Sequence, residues 1–100
     1  MAAKLIMSWD ISANHEQEYM EYIVNDFLPR LQQMGFDMGE TWITVYGDYP
    51  QILVSVLAPS RQEIIKTLQG QSWKTLHGRL MEYVENYSQK VVPARGGFQF

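Results

Sequence analysis

The run Ser72-Trp73-Lys74-Thr75-Leu76-His77 sets an indole and an imidazole four residues apart, one helical turn, so the two rings share a face. A histidine held against a tryptophan can exchange a proton near neutral pH or grip a planar aromatic molecule. His77 also neighbours Leu76 and Leu80, at the edge of an apolar stripe, and a tryptophan at a helix start commonly anchors packing. We read the pair first as core-edge structure and second as chemistry. The other histidine, His15, falls in the first turn of a helix, where a solvated surface role is the simpler one. Two histidines without a carboxylate cluster do not make a metal site, and no metal or cofactor is expected. The chain has no cysteine, which removes disulfides, thiolate zinc sites and a cysteine nucleophile. Ser8, Ser55 and Ser88 have no His–Asp pairing near them in sequence, so a hydrolase triad has no support. "RGGF" has no helix after it and forms no phosphate loop. What remains is an aromatic lining. Trp9, Trp42, Tyr46 and Tyr87 could frame a small-molecule pocket with Asp10 or His77 as its polar handle, and Trp73 beside them. The alternative is that these rings fill a dimer core.

The elements that would carry these residues follow from periodicity. "KLIMSWDI" (4–11) alternates, with Leu5, Met7, Trp9 and Ile11 on one face and Lys4, Ile6, Ser8 and Asp10 on the other, the pattern of a strand. Asn14 and Gln17 have capping-box spacing. Beyond them Tyr19, Met20, Ile23, Val24, Phe27, Leu31 and Met34 recur at steps of three and four, predicting one long amphipathic helix closed by Gly35. Pro29 lies inside it and withdraws the hydrogen bond to the Asn25 carbonyl, so a bend is expected there. Glu16, Glu18, Glu21 and Asp26 read as its solvated side. "ETWITVYG" (40–47) and "QILVSVLA" (51–58) predict an antiparallel hairpin across "GDYP". Ser60 with Glu63 is a second capping box, opening a short helix that runs to Gly70. Another helix starts near Ser72, with Trp73, Leu76, Leu80, Tyr83 and Val84 as its stripe. "YSQKVVP" predicts the last strand.

The order β-α-β-β-α-α-β, with right-handed crossovers, gives an α+β, ferredoxin-like fold: a four-stranded antiparallel sheet with helices on one face. Residues 1–93 form the expected single domain and 94–100 a C-terminal arm. That arm, ending Phe98-Gln99-Phe100, is expected to fold back onto a groove, on the partner subunit in preference to its own. One sheet face carries Ile43, Val45, Ile52, Val54 and Val56; the other carries Trp42, Thr44, Tyr46, Leu53, Ser55 and Leu57. Neither suits water. With 46% apolar residues in 100, the second face is expected to pack against a second copy of the chain.

At this point the chain resembles the dimeric α/β-barrel superfamily, with NIPSNAP-like and antibiotic-biosynthesis-monooxygenase-like small proteins as the nearest kind. The element order, the long first helix, the "SW" helix start and the two-sided sheet carry the resemblance over residues 4 to 93. It implies two sheets facing each other as a barrel, and activities that range from cofactor-free oxygenation to none assigned. Haem-degrading members use an asparagine on the first strand together with a tryptophan and a histidine. Here positions 8 and 10 are Ser and Asp, and Trp73 and His77 sit on one helix, which departs from that pattern.

The expected function is therefore a homodimer of unassigned activity that binds a small apolar or aromatic molecule. The alternatives are a cofactor-independent monooxygenase and a structural or regulatory interaction module. The net charge of −3 and scattered cations argue against nucleic acid. No run approaches the roughly 20 apolar residues of a membrane span, and "MAAKLIMSWD" lacks a signal sequence's apolar core. A cytoplasmic location is expected.

Overall fold

The computed structural model describes residues 2–43 and 52–94. Strand β1 (Ala3–Ile11) is followed by helix α1 (Glu16–Tyr22), a π-helical segment (Ile23–Phe27) and helix α2 (Leu28–Gln33). Strands β2 (Asp37–Ile43) and β3 (Ile52–Ala58), helices α3 (Arg61–Leu68) and α4 (Gln71–Leu80), and strand β4 (Val84–Pro93) complete the order. The sheet runs β2-β3-β1-β4 with every pair antiparallel, which is the ferredoxin-like topology expected.

Alternation settles the two faces of the sheet. Leu5, Met7 and Trp9 stand opposite Val56, Val54 and Ile52, and all six are buried with the helices' apolar residues in one core cluster. On the other face Lys4, Ile6 and Ser8 pair with Leu57, Ser55 and Leu53. There Ile6, Lys4 and Ser55 are buried, while Leu53, Leu57 and the β4 residue Val92 are only half-buried.

Several local expectations are corrected by the geometry. Asn14 does not cap α1. It takes a left-handed conformation (φ 69°), which asparagine tolerates better than most residues, and His15 becomes the cap without a side-chain hydrogen bond. The single long helix is divided before Pro29. The Leu28 amide donates to the Ile23 carbonyl five residues back, so the ladder widens ahead of the residue that cannot donate. That extra residue rotates the apolar stripe. Tyr19, Tyr22, Phe27 and Leu31 are buried, whereas Met20 and Val24 are 54% and 58% exposed. Tyr83 and Val84 leave the last helix, and β4 begins at Val84, three residues earlier than expected, because Ile11 pairs with Val84.

Other signals act as read. The Ser60 hydroxyl accepts the Glu63 amide at 3.2 Å. Gly35, at φ 100°, closes α2: its amide donates to the Gln32 carbonyl and the Phe36 amide to that of Leu31, a Schellman motif. Strand β2, by contrast, starts at Asp37, three residues before the expected start at 40, and its register with β3 shifts between Met38 and Thr41. Gly39 sits in that shift so close to Ser55 that a Cβ would lie 2.5 Å from its Oγ and 2.7 Å from its carbonyl oxygen. The expected hairpin turn, Thr44, Val45 and Tyr46, and the arm beyond Ala94 lie outside the described residues.

Candidate functional site

Two irregularities and one regular helix place aromatic side chains together between sheet and helices. The β1–β4 register shifts between Ser8 and Asp10, and Asn86 lies in the extra-residue stretch of β4 at φ 56°, the left-handed region that the G1 type of β-bulge uses. The bulge brings Tyr87 onto the helix-facing side, stacked on Trp9 with ring centroids 6.0 Å apart and planes 11° apart. The π-helical segment delivers Phe27 edge-on to Trp9 at 5.9 Å and against Trp73 at 6.4 Å. Helix α4 supplies Trp73 and, one turn on, His77. The two rings lie 5.4 Å apart, and the His77 ring meets Tyr87 edge-on at 4.5 Å.

Hydrogen bonds pin the periphery. Trp9 Nε1 donates to the Tyr19 hydroxyl at 2.9 Å. The Tyr22 hydroxyl donates to the Leu76 carbonyl at 2.6 Å, tying the first helix to α4. The Tyr87 hydroxyl donates to Gln89 Oε1 at 2.7 Å. Against this, the buried Nε2 of His77 has no hydrogen-bond partner among the described residues.

The electrostatics follow from burial. Loss of water pushes the Tyr87 phenol well above its ordinary range. Tyr19 is raised for the same reason, opposed by the hydrogen bond from Trp9. Tyr22 rises to about 12 through burial, with Arg79 pulling it down. Desolvation lowers His77 from 6.5. At neutral pH these groups are uncharged. The cluster is a neutral aromatic wall with one ring nitrogen whose hydrogen bond is unmet among the described residues. Among the described residues no three histidine or acidic side chains gather as a metal site would require.

The residues singled out from sequence divide. Trp9, Trp73, His77 and Tyr87 come together. Asp10 belongs to the opposite face of β1, where its carboxylate accepts the Asn86 side-chain amide at 2.9 Å. Trp42 stands opposite Leu53 in the register, and Tyr46 lies outside the described residues. Sequence reasoning missed Tyr19, Tyr22 and Phe27 as members of the cluster. Tyr19 and Phe27 were legible only as stripe residues, and Tyr22 fell outside an unbroken helical period.

No protein-family model and no curated protein matches the chain. Solved structures do. A NIPSNAP family protein from Agrobacterium tumefaciens superposes with a TM-score of 0.74 at 14% identity, covering 96% of this chain and 95% of that one. SnoaB, a cofactor-independent oxygenase from Streptomyces nogalater, gives 0.72 at 9% identity, covering 97% and 96%. A dimeric protein of unknown function and ferredoxin-like fold from Bacteroides fragilis gives 0.68 at 8%, covering 93% and 96%. The chain thus has the α+β, ferredoxin-like fold of NIPSNAP-like proteins. At these identities the likeness is one of fold, and the same fold carries an oxygenase and proteins with no assigned activity.

Proposed function

We propose that the protein is a homodimer, joined through the open faces of two sheets, that binds a small apolar or aromatic molecule at the cluster around His77. The observation that carries the ligand reading is the buried, unpartnered His77 Nε2 beside Trp73 and Tyr87. A buried polar atom without a partner costs about 1–3 kcal/mol, and a ligand hydroxyl or amide would supply the missing bond. In this reading Trp9, Trp73 and Tyr87 form the wall and His77 orients the guest.

The dimer reading rests on the half-buried Leu53, Leu57 and Val92 of the open face and on the dimeric Bacteroides fragilis neighbour. Asp10 and Trp42 are proposed to take part there, at the meeting of the two sheets. No helix among the described residues is long and apolar enough to cross a membrane, and the cysteine-free sequence suits the reducing cytoplasm proposed as its location.

Native mass spectrometry of freshly purified protein tests both halves at once. A mass of two chains plus a small organic molecule, lost in His77→Ala, is expected. Monomer at micromolar concentration would overturn the dimer. A His77→Ala variant that retains the same guest would overturn the site.

A further inference from the structure

A second concavity, of about 300 Å³, lies between α2 and α4. Helix α4 serves both places from different sides. Trp73, His77 and Leu80 follow one stripe into the core, while Ser72, Thr75 and Arg79 follow another along the groove. The opposite wall is Arg30 and Met34, and Leu76 and Met34 give the groove its apolar surface.

Its charge is specific. Arg30 and Arg79 both face Asp26, at 4.0 and 3.8 Å. Neither approach is short enough for a hydrogen bond, so the single carboxylate offsets half of the charge without occupying the guanidinium donors. Two cations and one anion leave one positive charge. Arg79 is also held over the Tyr22 ring, its guanidinium carbon 4.9 Å from the centroid, a cation–π contact that fixes the head group at the groove edge. A fixed guanidinium suits a planar anion with two oxygens. The volume is at the lower end of small-molecule sites.

The geometry points to this groove as a binding site for a small monocarboxylate with an apolar body. The carboxylate sits between Arg30 and Arg79, in a groove that Ser72 and Thr75 also line, and the apolar part lies on Met34 and Leu76. The site is separate from the aromatic cluster around His77, whose lining is neutral.

Titration of ¹⁵N-labelled protein with phenylacetate tests it, followed through the backbone amides of Met34, Ser72, Thr75 and Arg79. Saturable shifts at these amides are expected. Phenylacetamide, the neutral counterpart, should bind at least about tenfold more weakly, as should phenylacetate to Arg30→Gln or Arg79→Gln, each having lost a charge-assisted contact. Asp26→Asn should tighten binding by about threefold or more, since it removes the competing carboxylate. Arg30 is 58% exposed and Arg79 50%, so both variants should fold. If Arg79→Gln disturbs the spectrum through the loss of its Tyr22 contact, Arg30→Gln decides. Equal binding of the amide, or unchanged affinity in Arg30→Gln, overturns the proposal. So does a titration that moves only amides near His77 and Tyr87, an outcome that would leave the aromatic-cluster reading standing.

Discussion

Removing Trp73 should cost the protein a large part of its stability, whereas removing its neighbour His77 should not. Trp73 is 5% exposed and packs on Phe27 and His77. A buried tryptophan hides roughly 150–250 Å². Truncation to alanine surrenders most of that, worth about 4 kcal/mol at ~25 cal/mol per Å², in line with the 3–5 kcal/mol typical of such cavities. Against a total of about 5–15 kcal/mol for a domain, this should lower the melting temperature by roughly 15–30 °C. His77→Ala gives up two ring contacts but also a buried nitrogen that lacks a partner, so its net cost should be no more than about 1 kcal/mol. Urea titrations of the three proteins, at one protein concentration because a dimer's stability depends on it, give the comparison directly. A loss below about 1.5 kcal/mol for Trp73→Ala, or equal losses for the two variants, would refute the packing argument.

Leu53→Lys places a charge on the open sheet face, opposite Ser8, and should yield monomer or aggregate in light scattering behind size exclusion; an unchanged dimer would remove the interface. Because burial holds the folded His77 below 6.5, its contribution to stability is full above about pH 6.5. It should fall as pH drops towards the folded value, since the unfolded chain then binds the proton the fold resists. The stability gap between wild type and His77→Leu should therefore move against the wild type from about pH 7.5 to about 5, and a gap independent of pH would count against the burial. Gly39→Ala should destabilise by about 1–3 kcal/mol without rescue by Ser55→Ala, because the clash includes the Ser55 backbone carbonyl; urea titration of the double variant checks this.

Local chemistry was legible wherever it acts within a few residues. Alternation in 4–11 and 51–58 assigned both sheet faces, Ser60 and Glu63 marked a real cap, and Gly35 marked a real helix end. Element order then led to the sheet topology, since antiparallel neighbours and right-handed crossovers leave few choices. The pairing of Trp73 with His77 follows from helical spacing alone. What lay beyond the sequence were the insertions that break a period. Pro29 announced an interruption, but a π turn that absorbs one residue ahead of it, turning Tyr22 inward and Met20 and Val24 outward, satisfies backbone and packing together. The bulge at Asn86 is similar: only the pairing of Ile11 with Val84 and of Ser8 with Ser88 obliges β4 to carry an extra residue, and that residue puts Tyr87 on Trp9. Each aromatic residue was visible in the sequence, but their meeting around His77 required long-range register, which no local pattern encodes.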